Sequence, residues 1–204
     1  MSNFLFDSGA TALDFANTEM VVAREKRDLL TDWSSLVNWS AGAGLISEED
    51  ADALRCFEGT LQGEDALSCA RELRVRLREL APALSSGQQA NESAMQFVND
   101  LLALRVGHPV LELSEEGDAF RLRYEIPPSE PLHLVACIAQ SAAQLLCSAQ
   151  ATHIKKCDNA DCTQLFLDTS KNKTRRWCSM GVCGNRSKAA LHHQRRKTKQ
   201  EKAS

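Results

Sequence analysis

Four cysteines in two equally spaced pairs constrain this sequence more than any other feature. Cys157 with Cys162, and Cys178 with Cys183, each form a CxxxxC pair, and 15 residues separate the two pairs. In a reducing compartment, such regular spacing indicates metal ligation rather than disulfides. Four thiolates complete the closed tetrahedral site that is typical of structural zinc. We therefore predict one Zn²⁺ per chain at these four cysteines, in preference to an iron–sulfur cluster.

The charge of the chain is divided unequally between its two parts. Residues 1–152 carry 11 Lys and Arg against 23 Asp and Glu, whereas residues 153–204 carry 13 against four. The formal charge is therefore −12 for the first part and +9 for the second, within a total of −3. A basic end on an acidic body is typical of a chain that binds a polyanionic partner, most often nucleic acid.

The sequence favours a cytoplasmic protein without a membrane partner. The N-terminus has no cationic segment followed by an apolar run of signal-peptide length, so we expect no export signal. The uncharged stretch 131–154 approaches the ~20 residues that span a bilayer. It contains five Gln and Ser residues between positions 140 and 150, which favours a buried helix instead.

The acidic part is predicted to be mainly helical. Apolar residues recur at spacings of three and four. Thr31 is the expected N-cap of the first helix, and Ser47 with Asp50 resembles a capping box at the second. Residues 109–126 instead alternate apolar and polar side chains, which predicts a β-hairpin. The predicted helices begin near Thr31, Ser47, Asp65, Asn91 and Pro131, and the last continues to about Thr152.

The basic part is predicted to be a small module that depends on its metal, because it has too few large apolar residues for a core of its own. "TQLFLD" and "KTRRW" are strand-like and flank the polar turn "TSKN", and a helix is expected after Cys183. This order of knuckle, hairpin and helix is treble-clef-like. The predicted fold class is therefore mainly α with a small β-hairpin (α+β): a helical domain of residues 1–152, then a treble-clef-like zinc finger of residues 153–204.

The charge of a zinc–tetrathiolate centre also needs compensation. Its formal charge is −2, and four basic residues lie close enough in sequence to neutralise it. These are Lys155, Lys156, Arg176 and Arg186.

No catalytic site is predicted, and we expect that the protein is not an enzyme. His108 and His133 are isolated, and a treble-clef nuclease would need a histidine on the hairpin that Leu165 to Asp168 do not supply. The remaining cysteines lack ligand spacing and are predicted to be small buried hydrophobes. They are Cys56, Cys69, Cys137 and Cys147.

Three arginines share one face of the predicted third helix. Arg71, Arg74 and Arg78 follow each other at spacings of three and four. They could hold an anion, but Glu72 and Glu79 are interleaved with them. A solvated charged face is the preferred interpretation.

Two stretches resemble known families. "LFLDTSKN", "RRWCSM" and "CGNR", with the four cysteines, are similar to the CGNR zinc finger. "LDFANT" at residues 13–18, with the "DWSSLVNWSAGAGL" that follows, resembles the opening of the ABATE domain. The resemblance implies a bacterial stress-induced transcription regulator with a zinc-bound, DNA-binding C-terminus. By position in the motif, it assigns the metal to Cys157, Cys162, Cys178 and Cys183.

The predicted last helix supplies the candidate nucleic-acid surface. Four basic residues recur on one of its faces at spacings of four, three and four, and further basic residues lie beside them or near the cysteines. The predicted nucleic-acid contacts are Arg175, Arg176, Arg186, Lys188, His192, Arg195, Arg196, Lys197 and Lys199.

DNA is thus the expected partner, with other functions left open. A solvated basic tail, a zinc–thiolate redox sensor, and a protein-interaction module without nucleic acid are the alternatives. We expect the helical domain to be the sensing or dimerising part, as a possible homodimer with a possible small-molecule effector. Because residues 1–152 have apolar helical faces of their own, we also expect this fragment to fold alone.

Overall fold

The computed structural model describes residues 4–22, 25–104, 109–113, 120–125 and 130–189, and the structural statements below concern these residues. The fold class is the predicted one: six α-helices and three two-stranded antiparallel sheets, followed by helical residues 185–189. The elements are α1 (Thr11–Ala16), β1 (Glu19–Val22), β2 (Glu25–Asp28), α2 (Trp33–Gly42), α3 (Glu48–Leu54), α4 (Leu61–Ser86), α5 (Glu92–Leu102), β3 (Pro109–Leu113), β4 (Phe120–Tyr124), α6 (Pro131–Cys147), β5 (Ile154–Lys156) and β6 (Leu165–Leu167).

Side-chain caps fix where several helices begin. The capping box of Ser47 and Asp50 at α3 is confirmed, and Asn91 caps α5. The predicted cap Thr31 is wrong by one residue, because Asp32 accepts the N–H of Ser35 at the start of α2. Each cap satisfies backbone donors that the first helical turn leaves without a partner.

Three helices have other bounds than the sequence predicts. The second predicted helix ends at Leu54, where a 3₁₀ turn follows, and α4 begins four residues earlier than predicted, with Thr60 as its cap. Gly63 permits this junction, since a Cβ there would lie 2.3 Å from the Phe57 carbonyl oxygen. The last helix of the body ends at Cys147 rather than near Thr152.

The main core lies between α2, α4 and α6. Trp33, Trp39 and Phe15 are its largest fully buried side chains, and the small residues of α6 allow close packing against α4. The predicted hairpin is present as β3 and β4. A second hairpin, β1 with β2, was not predicted from its short and strongly charged sequence.

The arginine face of α4 corrects the prediction of a solvated surface. Arg74 is 3% exposed, and its two Nη atoms each lie 2.6 Å from a carboxylate oxygen of Asp28, at the end of β2. Arg71 donates to the Leu30 carbonyl oxygen over 2.6 Å. Arg78 donates to the carbonyl oxygens of Ala16 and Thr163 over 2.7 and 2.6 Å. Tertiary partners far away in sequence, and not the neighbouring glutamates, determine where these side chains lie.

The strand pairing near the cysteines also differs from the prediction. β6 pairs with β5, which precedes the first cysteine, and residues 172–177 form no strand. The backbone groups of those residues have partners other than a strand. The Arg175 N–H donates to the Asp168 carboxylate, and the Arg176 carbonyl oxygen accepts from the Asp158 N–H.

Residues 154–189, here called the metal segment, pack on residues 4–153, here called the body. A second buried cluster joins α1 and α4 of the body to β5 and β6 of the metal segment. Its members are Leu13, Ala16, Ala81, Ala151, Ile154, Leu165 and Leu167.

The cysteines of the body divide into two kinds. Cys137 is fully buried and Cys69 is half-buried, and burial raises the pKa of the Cys137 thiol to about 12. Cys56 and Cys147 are exposed, so the prediction of buried hydrophobes is wrong for these two. Among the described residues, no helix is both long and apolar enough to span a bilayer.

Candidate metal centre

The four predicted ligands lie together. The Sγ atoms of Cys157, Cys162, Cys178 and Cys183 are all within 4.8 Å of one another. Cys162 and Cys178 are 3.8 Å apart at Sγ, and Cys178 and Cys183 are 3.7 Å apart. A regular tetrahedron with Zn–S distances of ~2.3 Å has edges of ~3.8 Å. The site therefore fits one zinc ion with four sulfur ligands.

The first pair of ligands lies on a short turn after β5. The Cys157 N–H donates to the Gln164 carbonyl oxygen over 2.9 Å, which extends the β5–β6 pairing to the first ligand. Within the turn, the Cys162 N–H donates to the Asn159 carbonyl oxygen over 2.9 Å. The Asn159 side chain accepts the Asp161 N–H over 3.0 Å. Local hydrogen bonds thus hold both thiols on one side of the turn.

The second pair of ligands lies at a turn of π-helix, Met180–Gly184, that continues into the helical residues 185–189. Cys178 precedes this turn by two residues, and Cys183 lies within it. Ser179 fixes its start, because its carbonyl oxygen accepts the Gly184 N–H over 3.0 Å and its hydroxyl accepts from Val182. The Cys178 N–H points to the Cys157 Sγ over 3.5 Å. A backbone donor to a ligand sulfur stabilises the thiolate form.

Asp168 organises the loop between the two pairs. It is fully buried and accepts hydrogen bonds from the Lys155 ammonium at 2.7 Å, from the Arg175 N–H at 2.9 Å and from the Ser170 hydroxyl at 2.6 Å. Burial would raise the pKa of this carboxyl, but these hydrogen bonds outweigh it and hold the pKa well below its usual range. The loop that brings Cys178 to the site is therefore built around a buried ion pair.

Mutual hydrogen bonds set the protonation of the clustered thiols. The hydrogen bond with Cys178 lowers the pKa of Cys162 to about 5, whereas the same hydrogen bond raises the pKa of Cys178. Burial raises the pKa of Cys183 to about 11. A bound Zn²⁺ requires all four as thiolates, so binding releases the remaining protons.

The predicted charge partners of the centre have different roles. Lys155 pairs with Asp168, as described above. Arg176 is exposed and pairs with Asp158 over 2.7 Å. From the body, Arg78 donates to the carbonyl of Thr163, the residue after Cys162. Burial lowers the pKa of this guanidinium, and the negative charges of Glu19 and Cys162 oppose that shift. The body thus contributes a guanidinium, from α4 and outside the cysteine motif, next to the loop that follows Cys162.

The predicted nucleic-acid residues are also divided by the structure. Arg175 is directed inward: it donates to the carbonyl oxygens of Trp177 and Cys178, and its guanidinium lies 4.7 Å from the centroid of the Phe166 ring. It is thus a support of the metal loop. Arg186 and Lys188 are exposed on the helix that follows the fourth cysteine. Five further predicted contacts lie outside the described residues: His192, Arg195, Arg196, Lys197 and Lys199.

Sequence reasoning missed the residues that attach the metal segment to the body. The Asn17 side chain binds both the N–H and the carbonyl of Leu165, and the Ser8 carbonyl accepts the Leu167 N–H over 2.8 Å. With Arg78, these residues contact both strand β6 and the loop after Cys162. Asn17 lies in the "LDFANT" stretch, but no pattern in that stretch indicates a partner as far away in sequence as Leu165.

Comparison with known families agrees with both parts of the chain. Residues 153–196 match the CGNR zinc finger, and residues 9–149 match the ABATE family, whose description is "Putative stress-induced transcription regulator". No curated protein matches the chain. The ABATE match covers more than half of the chain, and the zinc-finger match contains all four clustered cysteines. The chain therefore belongs to the ABATE family and carries a CGNR zinc finger with a four-cysteine site for one metal ion, zinc.

Proposed function

We propose that the protein is a DNA-binding transcription regulator and that the metal segment is the part that contacts DNA. The observation that carries this proposal is the charge around the fourth ligand. Residues 169–200 include ten Lys and Arg and no Asp or Glu. Within this stretch, Arg186 and Lys188 are exposed, and neither forms an ion pair with another of the described residues. Such a surface suits phosphates, which supply most of the affinity in DNA binding.

Zinc has a structural role in this proposal. With four cysteine ligands the site is closed and leaves no position for a substrate or a reactive water. The metal would hold the turn after Cys178 against the turn after Cys157, and so fix the start of the helix that carries Arg186. We accordingly propose a binding function, and no catalytic one, for this chain.

The body would restrict rather than supply DNA binding. Its charge is opposite to that of residues 153–204, and it is attached to the metal segment through a buried cluster. Like charge on the body and on DNA weakens non-specific association. We also propose that the body is the part that dimerises and senses an effector, and that the protein acts in the cytoplasm.

Reversal of charge at the exposed cations tests this function. We expect Arg186→Glu with Lys188→Glu to retain zinc, since neither residue is a ligand, and to reduce binding to a mixed-sequence duplex in fluorescence anisotropy. The wild type should lose affinity with salt at a log–log slope of about −0.9 for each neutralised phosphate. Lys26→Glu with Arg27→Glu is the control, because it makes the same charge change on exposed residues of the body. Lys26 pairs with Glu19 over 2.9 Å, so circular dichroism should confirm that this control variant is folded. Equal binding by the two double variants, or a flat salt response, would remove the proposal.

A second function, redox sensing, rests on the exposure of two ligands. Cys162 and Cys178 are only half-buried, and their sulfur atoms are 3.8 Å apart. Hydrogen peroxide would take two electrons from these two thiolates and two protons from solvent, giving a disulfide and two water molecules, and the site would lose zinc. Zinc release can be followed with a chromophoric chelator, with the unrelated thiols Cys56 and Cys147 replaced by Ser. Retention of zinc under mild peroxide would remove this second function and leave DNA binding untouched.

A further inference from the structure

Two apolar side chains are exposed on the turn that joins the third and fourth cysteines. Met180 is 56% exposed and Val182 is 57% exposed. They lie in the π-helical turn that Ser179 fixes at its start and that contains the fourth ligand, Cys183. We call this pair the apolar tip. Because the residues on either side of the pair, Cys178 and Cys183, are both metal ligands, the tip has a defined position and is not part of a free loop.

The neighbouring residues support the tip. A Cβ on Gly184 would lie 2.5 Å from the Met180 Sδ and 3.5 Å from a carbon of the Trp177 ring. Glycine at this position therefore allows the thioether of Met180 to lie over the backbone beside Trp177. The guanidinium of Arg176 lies 5.3 Å from the centroid of the same ring. Apolar atoms and positive charge are thus adjacent on one surface.

The charge around the tip selects the kind of partner. Arg186 follows Val182 by four residues, about one helical turn, and so lies on the same face. The described residues 169–189 include six Lys and Arg and no acidic residue, and the nearby Asp158 is paired with Arg176. A partner must offer negative charge on both sides of a narrow apolar surface. Duplex DNA does so, since phosphates flank the stacked bases.

We propose that the apolar tip enters a base-pair step of duplex DNA as a wedge, while Arg186 and Lys188 hold the flanking phosphates. This inference rests on the proposed DNA binding and adds its mode. Some DNA-binding proteins insert apolar side chains between two base pairs, which unstacks that step and kinks the duplex. Stable binding to a lipid surface requires a broad apolar face, and the two side chains of the tip expose too little apolar area for it.

The experiment compares two double variants that each remove two exposed apolar side chains. Met180→Ser with Val182→Ser removes the tip, and Leu61→Ser with Met95→Ser removes exposed apolar residues of the body. Anisotropy with a mixed-sequence duplex measures affinity, and energy transfer between dyes at the duplex ends measures the kink. We expect the tip variant to bind about tenfold more weakly, to lose the kink, and to keep the salt slope and the zinc content of the wild type. The body variant should match the wild type throughout.

Each outcome bears on a different claim. If the tip variant binds and kinks DNA as the wild type does, the wedge is wrong and DNA binding stands. If the wild type binds no DNA, the proposed function fails and the wedge fails with it. Binding of the wild type to phosphatidylserine vesicles, lost in the tip variant, would assign the tip to a membrane and overturn the wedge. If the serine pair loses zinc, Met180→Gln with Val182→Thr preserves shape while it removes apolar surface, and the same comparison then decides.

Discussion

Asn17 binds both backbone groups of Leu165, although the two residues are 148 positions apart in the chain. Its Nδ2 donates to the Leu165 carbonyl oxygen over 2.8 Å, and its Oδ1 accepts the Leu165 N–H over 2.9 Å. Both hydrogen bonds are buried. β6 pairs with β5 along one edge. Along its other edge, the Asn17 side-chain amide makes the two hydrogen bonds that a neighbouring strand would make. The position of the metal segment is therefore set by the body as well as by zinc.

Replacement of Asn17 tests this attachment. Asn17→Ala leaves a buried donor and a buried acceptor of Leu165 without partners, and we expect the free energy of unfolding to fall by about 2–4 kcal/mol. Urea denaturation of the zinc-loaded protein measures this change. Asn38→Ala is the matched control, since Asn38 is exposed and accepts an exposed hydrogen bond from Arg55, and its effect should stay within about 0.5 kcal/mol. Equal effects of the two changes would show that the amide does not secure the segment.

Removal of the metal segment should weaken the body. A fragment of residues 1–152 lacks Ile154, Leu165 and Leu167, which cover Leu13 in the second buried cluster. Exposure of Leu13 alone is worth about 1.5–3 kcal/mol. We expect the fragment to unfold at a lower urea concentration than the zinc-loaded chain. Its own apolar helical faces let it fold, but it lacks the cover that the metal segment gives to Leu13.

The same comparison can be made without truncation. Chelation of zinc from the full chain should shift its unfolding midpoint toward that of the fragment, because the metal-free segment then has little core of its own. An identical midpoint for the fragment, the metal-free chain and the zinc-loaded chain would contradict the dependence of the body on the metal segment.

The pair of Arg74 and Asp28 predicts a specific response to acid. Burial would raise the pKa of Asp28, but the hydrogen bonds and charge of Arg74 outweigh it, and the net pKa is lowered. A carboxyl whose pKa is lower in the folded state stabilises the fold above its unfolded pKa of ~3.9, and the stabilisation is lost as the pH falls through the folded value.

Asp28→Asn should remove this dependence. At neutral pH the buried guanidinium of Arg74 loses the two short contacts to Asp28 and keeps the carboxylate of Glu19 at 3.6 Å. We expect this loss to cost roughly 2 kcal/mol after allowance for the solvent that reaches Asp28. Denaturation from pH 7 to pH 3 should show a smaller loss of stability for the variant than for the wild type. Parallel curves over this range would place the acid-sensitive group elsewhere.

The metal site and most helices could be predicted because local sequence determines them. The spacing of the four cysteines predicts their clustering, and the capping box of Ser47 with Asp50 gives the start of α3 correctly. The error at Thr31 is of one residue, since Asp32 offers an equally good cap. Such features depend on neighbours within a few residues.

The errors concern residues whose partners are far away in the sequence. A hairpin within "TQLFLDTSKNKTRRW" is plausible from its pattern, but the buried Asp168 takes the backbone donor of Arg175, and β5 offers a better partner to β6. Arg74 and Arg78 have the periodicity of an exposed face. Only the folded chain brings Asp28 and Thr163 to them. No local pattern contains that information.

The most direct test of the account measures duplex DNA binding in three states of the same protein: purified with zinc, stripped by a chelator under reducing conditions, and reloaded with Zn²⁺. We predict one zinc per chain, binding in the first state that weakens with salt, its loss in the second and its return in the third, with no return on addition of Mg²⁺. DNA binding that is unchanged by removal of zinc, or its absence in protein with one zinc per chain, would contradict the claim that the zinc-held metal segment is the DNA-contacting part.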